Sequence, residues 1–279
     1  MTAMAAASQT VPACHALGRG PETVLFLHGI GGDHTLWAAQ QRALAGRFRT
    51  LAWDMPGYGG SAALTPMTFP ALARAVLRLL DAQAVGRVHL VGHSMGGMIA
   101  QEFALLAPQR LASLVLSATT AAFGPSGGDW QRRFLAERLK PLDDGLTPAD
   151  IAPAVVAGLV GEGPDAAAVD AAVAAMSRVP AKSYRAALHC LVEFDRRAAL
   201  GKIAVPTLLI AGEVDRVAPA KAMARMAADI ASSRLVILPA AGHLANLEQP
   251  AAFNAALIEF YAALPAIGAG HGSRARPAS

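Results

Sequence analysis

The chain has 279 residues, of which 54% are hydrophobic and 16% charged, enough apolar material to fill one large core and too little charge for a disordered polymer. Its net charge of +4 comes from dispersed arginines with no aromatic-studded basic face, so it reads as a solubility feature and excludes a nucleic-acid partner. Cys14 and Cys190 are too few for a disulfide framework or a zinc site, no stretch is long enough to cross a membrane, and Met1 to Ser8 lacks the basic start and apolar run of a secretion signal; a cytoplasmic protein without metal, cofactor or membrane partner is the expectation.

In chain order, apolar runs alternate with amphipathic segments. Val24-Leu25-Phe26-Leu27 reads as a short buried strand that ends in His28-Gly29-Ile30-Gly31-Gly32, a loop with uncovered backbone amides. That loop has neither the G-x-G-x-x-G spacing nor the lysine of a P-loop, so it is not read as a phosphate cradle. A helix near Leu36 to Leu44, a strand at Thr50 and a helix over Phe69 to Leu80 follow. Val88-His89-Leu90-Val91 then leads through Gly92-His93-Ser94-Met95-Gly96 into a helical stretch, Met98 to Leu106. After a strand at Leu114, the span from Ala121 to Leu200 shows helical patterns and no buried strand, with breakers at Pro141 to Pro148 and Gly158 to Pro164. It is read as an inserted helical cap, a mobile lid that closes over the site and excludes water. Thr207-Leu208-Leu209-Ile210-Ala211-Gly212 is a buried strand that runs out into Glu213-Val214-Asp215, and a helix over Ala220 to Met226 comes next. Arg234-Leu235-Val236-Ile237-Leu238 runs out into Pro239-Ala240-Ala241-Gly242-His243, before a last helix over Ala251 to Phe260. The alternation predicts an α/β fold, a mostly parallel open sheet covered by helices on both faces. The expected layout is a core of residues 1–120 and 201–263, a cap of 121–200, and a flexible Gly/Pro/Ala/Arg-rich tail of 264–279.

The chemistry centres on Ser94. A strand, a G-x-S-x-G turn and a helix in succession form a nucleophile elbow, in which a serine sits on a strained turn and glycines two residues away on either side avoid clashes with the crossing elements. The turn opens a helix, so the amide of Met95 lies where an oxyanion would collect; Ile30, just after His28-Gly29, supplies a second amide. A serine hydroxyl needs a base, and the base an orienting acid. Asp215 and His243 each follow a buried strand at its carboxyl end and fill those roles. Glu213 is the rival acid, closer to the strand end and expected to be solvated. Among the other histidines, His93 lies inside the elbow and cannot reach back to Ser94, His28 and His34 flank a glycine turn, His89 alternates within a strand, and His15 and His271 are terminal; His189, within the cap, is the one that competes for a place in the pocket.

On the glycine loop, the elbow, Trp53-Asp54-Met55-Pro56-Gly57-Tyr58-Gly59-Gly60-Ser61, Val205-Pro206-Thr207-Leu208-Leu209-Ile210-Ala211-Gly212 and Gly242-His243, the chain from about Val24 to about Tyr261 resembles the α/β-hydrolase fold. The order serine, acid, histidine is that fold's order. By this comparison the opening hairpin is curtailed, since about twenty residues precede the first clear strand. A serine where haloalkane dehalogenases and epoxide hydrolases place aspartate implies acyl transfer and not alkyl-enzyme chemistry. Ala240 through Gly242-His243-Leu244-Ala245-Asn246-Leu247-Glu248-Gln249-Pro250, and Tyr184 through Phe194-Asp195-Arg196-Arg197, are similar to 3-oxoadipate enol-lactonases of aromatic catabolism and the esterases related to them. The resemblance implies a serine esterase or lactonase, active as a monomer or homodimer on a small-molecule ester or lactone. His93 in the elbow pulls toward a general carboxylesterase. Trp130-Gln131-Arg132-Arg133 matches a W-x-x-R piece of that group and implies that Arg133 pairs with a substrate carboxylate. Helical spacing instead puts Arg138 on the apolar side defined by Trp130, Phe134, Leu135 and Leu139, so Arg133 and Arg138 both stand as candidates. Two other readings use the same residues: a carbon-carbon bond hydrolase, whose usual tryptophan after the histidine is replaced here by Leu244, and a ligand sensor that keeps the fold and triad.

Overall fold

A strand buried on both faces must send apolar side chains alternately to each, and five of the strands here do so. In the computed structural model, which describes residues 10–124 and 128–265, β2 (Glu22–Leu27), β3 (Phe48–Trp53), β4 (Val88–His93), β5 (Leu111–Ser117), β6 (Thr207–Gly212) and β7 (Ser233–Leu238) are joined by parallel pairing. A further strand, β1 (Cys14–Leu17), pairs antiparallel with β3, Cys14 opposite Trp53, and the sheet order is β1-β3-β2-β4-β5-β6-β7. The N-terminal segment Met1 to Ser8 and residues 266–279 of the expected tail lie outside the described residues. β1 goes unseen in the sequence because it is four residues long and mostly exposed, which leaves no apolar alternation to detect.

Leu25 and Leu27 of β2, Leu90 of β4, Leu114 and Leu116 of β5 and Leu209 of β6 point into one layer, shared with α2 (Phe69–Ala82), α3 (Met95–Leu106) and α8 (Ala220–Asp229). Their neighbours Val24, Phe26, Val91, Val115, Leu208 and Ile210 point into the other, shared with α1 (Ala38–Leu44) and α9 (Pro250–Ala262). Between β5 and β6 run α4 (Asp129–Asp143), α5 (Pro148–Ala157), α6 (Ala166–Ser177) and α7 (Ala181–Leu191). Pro141, read as a breaker, lies inside the last turn of α4, where the chain has nearly ended its ladder anyway; the clean start is at Thr147, whose hydroxyl and Asp150 form a capping box ahead of Pro148. The apolar inner sides of these helices, including Leu142, Ile151, Met176 and Leu188, continue the α2/α3 layer. Arg178, just past α6, pairs with the buried carboxylate of Asp33 at 2.6 Å, tying the insertion to the loop after β2.

The chain leaves β2 toward β3 on one side and later returns to β4 on the other. That reversal opens a crevice at the carboxyl ends of β2 and β4, where open α/β sheets take their ligands. Phe26, fully buried with its ring 4.9 Å from that of Trp37, helps hold β2 at this point. Phe26→Ala is expected to cost about 3–5 kcal/mol in chemical denaturation. A loss below about 1 kcal/mol would contradict close packing of this layer.

Candidate active site

Ser94 joins β4 to α3 with φ 53° and ψ −121°, a conformation that an L residue with a side chain holds only under constraint. The constraint is visible on all sides. Ser94 N donates to Ser117 O at 2.9 Å, and its carbonyl accepts from Gly97 N, Met98 N and the Thr119 hydroxyl at 2.9, 3.1 and 2.8 Å. A Cβ on Gly92 would collide with the carbonyl of Gly96, and one on Gly96 with the carbonyl of Leu27, so both flanking positions are backbone-on-backbone contacts. With the main chain of Ser94 so occupied, its side chain faces the cavity.

Asp215 and His243 come from the loops after β6 and β7. The Asp215 side chain is wholly buried and accepts from His243 Nδ1 at 2.9 Å, Val217 N at 2.7 Å and Ala218 N at 3.0 Å. Burial pushes this carboxyl up, but the histidine hydrogen bond, the histidine's charge and the two backbone N–H groups outweigh it and hold the group below the usual carboxylate range. Because an ionised carboxylate only accepts, the hydrogen of this bond lies on Nδ1 of His243, which leaves Nε2 as the ring nitrogen not engaged by Asp215. The main chain of His243 is pinned as well: N donates to Leu159 O at 2.7 Å, and the carbonyl accepts from His93 Nε2 at 2.8 Å. Burial, then the neighbouring His243, drives His93 down to about 3, so its ring is neutral.

Ser94 and His243 line one cavity of about 370 Å³. The loop after β2 is at its edge, with Gly29 so close that an added Cβ would stand 2.8 Å from Ser94 Cβ. His28 shapes that loop: its Nδ1 donates to Gly29 O at 2.8 Å, its Nε2 accepts from Met55 N at 2.9 Å, and burial keeps the ring neutral by lowering its pKa. Ile30 lines the same cavity, while Met95 is the first residue of α3, where an amide has no intrahelical acceptor.

The remaining candidates are placed as follows. Glu213 is exposed and accepts from Ala240 N at 3.0 Å, away from His243. His89 is buried against the Ser113 hydroxyl at 2.8 Å, and His189 is exposed outside the cavity lining. Trp130 and Arg138 line the cavity, with the Arg138 guanidinium over the Phe134 ring at 5.5 Å. Arg133, five residues earlier and so turned well away around α4, borders a separate depression with Trp130, Phe134 and Glu137. Arg216 also lines the cavity, and its place beside Asp215 was the signal that could have found it. Among the described residues there is no group of His, Cys, Asp or Glu fit to hold a metal ion, and no helix long and apolar enough to cross a membrane.

An elbow serine at the end of a central parallel strand, sharing a cavity with a histidine that is hydrogen-bonded to an acid from another strand end, is the arrangement of α/β-hydrolases. The chain belongs to the alpha/beta hydrolase family, whose model matches residues 24–256, and it is a hydrolase. It is 34% identical over 259 residues to the carbamate hydrolase RutD, so named, of Variovorax paradoxus, covering 88% of this chain and 94% of that one. It is 30% identical over 240 residues to 3-oxoadipate enol-lactonase 1 of Acinetobacter baylyi, covering 84% and 87%. The structure of a thermophilic esterase from Thermogutta terrifontis superposes with a TM-score of 0.81 at 30% identity, covering 90% and 92%.

A buried histidine with a folded-state pKa of about 3 against an ordinary 6.5 binds its proton more readily in the unfolded chain. It therefore costs no stability above about pH 6.5 and progressively more as the pH falls from there toward 3. His93→Gln, which does not titrate but still offers an N–H to the His243 carbonyl, is expected to flatten the fall in Tm between about pH 7 and 4. Parallel Tm curves for the two proteins would contradict a neutral buried His93.

Proposed function

We propose that the protein hydrolyses a carboxylic ester or lactone through an acyl-enzyme, with Ser94 as nucleophile, His243 as general base and Asp215 as the orienting acid. The observation that carries this reading is the buried Asp215–His243 hydrogen bond of 2.9 Å opening onto the cavity that holds the strained serine. Ser94 Oγ attacks the acyl carbon as His243 Nε2 takes its proton, and the negative charge moves onto the carbonyl oxygen, facing the N–H groups of Ile30 and Met95. The carbon–oxygen bond to the leaving group then breaks, and the imidazolium returns the proton to the departing alkoxide. Water, deprotonated by the same Nε2, attacks the acyl-serine; the acid leaves and the proton goes back to Ser94. Asp215 keeps the proton on Nδ1 and offsets the imidazolium charge without becoming protonated. The helices α4 to α7 serve as the lid that keeps bulk water from this site.

The cavity walls favour a substrate with an apolar body, since Met98, Phe123, Phe134, Val155, Leu159 and Leu188 all face it. Arg138 and Arg216 at the same cavity suit a carboxylate carried away from the scissile bond, as in an acidic lactone. A second reading, hydrolysis of a carbamate, is favoured by the 34% identity to RutD; a small polar carbamate would leave most of these apolar walls without contact. The substrate needs no protein partner, the enzyme works as a monomer or homodimer, and the unpaired Cys14 and Cys190 support a reducing cytoplasm.

Ser94→Ala is expected to reduce turnover of p-nitrophenyl butyrate to about one part in a thousand or less of wild type with the fold intact. Asp215→Asn is expected to lower kcat by up to ~10⁴ through the wrong imidazole tautomer, and Glu213→Gln to leave it nearly unchanged; the reverse order would move the acid to Glu213. Arg138→Ala is expected to lower kcat/KM on an acidic enol-lactone by about tenfold, a modest figure for a partly solvated guanidinium. The same change on a neutral ester, and Arg133→Ala on either substrate, should have little effect. A carbamate turned over faster than every ester and lactone would replace the ester reading with the second one.

A further inference from the structure

The loop that presents His243 makes a set of contacts that neither the triad nor the sheet requires. Glu248 Oε1 accepts from Leu244 N at 3.0 Å, and Glu248 Oε2 accepts from Gly242 N at 3.0 Å and from Gly161 N at 2.7 Å. One carboxylate thus holds the amides immediately before and after His243, together with an amide of the insertion 87 residues away in sequence. The amide of His243 itself reaches into the same strip of the insertion, at Leu159 O. The two chains meet main chain to main chain. A Cβ on Gly161 would collide with Ala240 O and stand 2.8 Å from Gly242 N, and a Cβ on Gly242 would stand 2.6 Å from Leu159 O. Beside this contact Val156 and Ala172 of the insertion bury Leu244 in a small cluster apart from the two main layers, with Leu159, Val160 and Leu247 around it.

We propose that Glu248 and Gly161 are positioning residues that clamp the loop carrying His243 against residues 159–161 of the insertion, so that the wall of the substrate cavity and the seat of the base are one piece. The proposal rests on the reading of His243 as the general base. Val155, Val156 and Leu159 line the cavity, while the main chain of 159–161 backs the His243 loop through Leu159 O and Gly161 N. The height of the imidazole above Ser94 is therefore set from the insertion side, and a substrate packed on Leu159 bears on the strip that hydrogen-bonds His243. The reaction needs this because one Nε2 must serve two positions, the serine hydroxyl and the leaving oxygen, and a misplacement of about 1 Å can cost on the order of a hundredfold in rate.

Three features make a purely structural role distinguishable from this one. The hydrogen bonds from Glu248 and Leu159 go to the main chain of the His243 loop and not to Asp215, they lie outside the two large core layers, and the Glu248 carboxylate is not part of the cavity lining. The test is a double-mutant cycle on the full chain with p-nitrophenyl butyrate. Gly161→Ala forces the two backbones apart, and Glu248→Gln turns one accepting oxygen into an NH₂ that faces an N–H. Each is made alone and on a His243→Ala background, with folding followed by circular dichroism. The expected result is a KM within about threefold of wild type and a kcat about tenfold or more lower for each single variant, with Glu248→Asp recovering part of the loss. On the His243→Ala background neither change alters the residual rate, because the group through which they act is gone. An unchanged kcat in the folded variants, an equal loss in both backgrounds, or failure of both variants to fold would overturn the proposal. Wild-type turnover by His243→Ala alone would instead overturn the base assignment, and the clamp with it.

Discussion

The chemistry proposed for this molecule depends on one residue held in a backbone conformation it would not adopt alone. Ser94 sits at φ 53° and ψ −121°, a region that costs on the order of 1–3 kcal/mol for a residue with a side chain. It stays there because the strand before it and the helix after it are fixed by the sheet and by the core around α3, in which Met95, Ile99 and Phe103 are fully buried. The close crossing of β2, β4 and α3 leaves no room for a Cβ at Gly92 or Gly96. The elbow is thus a product of the packing of the whole central sheet, which fixes the backbone from which the hydroxyl faces the cavity.

Around that serine Asp215, His93 and His28 each have defined hydrogen-bond partners. Asp215 is buried with three N–H donors, which makes its ionised form tolerable in an apolar setting. His93 and His28 are kept neutral by burial and serve as fixed donors and acceptors for the main chain of the His243 loop and the glycine loop. The cavity lining is mostly apolar, and His243, hydrogen-bonded to Asp215, shares it with Ser94. Electrostatic stabilisation of a developing oxyanion is strongest under such conditions, since the donors do not have to reorganise.

Much of this was legible in the sequence because it is local. Six of the seven strands announce themselves as apolar runs, and the residues that end β4, β6 and β7 are read directly once the strand ends are known. That rule picks out Ser94, Asp215 and His243; Ser94 and His243 line one cavity, and Asp215 hydrogen-bonds His243. β1 was not legible, since four mostly exposed residues carry no pattern, and its place beside β3 depends on pairing alone. The choice between Arg133 and Arg138 turned on the rotation of α4 about its own axis, and the apolar-side spacing pointed to the arginine that lines the cavity. Gly161 read as a helix breaker and Glu248 as part of a motif. What they hold could not be seen, because a hydrogen bond across 87 residues leaves no trace in local spacing.

The central claim is that Ser94 is the nucleophile of an acyl-transfer site activated by His243 and Asp215. The most direct measurement is mass spectrometry of the protein after treatment with a fluorophosphonate, which marks a serine only where a base and an oxyanion pocket activate it. The account predicts one adduct per chain, within the peptide from Val88 to Arg110 and on Ser94, and no adduct in His243→Ala over the same time. An adduct on another residue, or equal labelling of the His243→Ala protein, would contradict it.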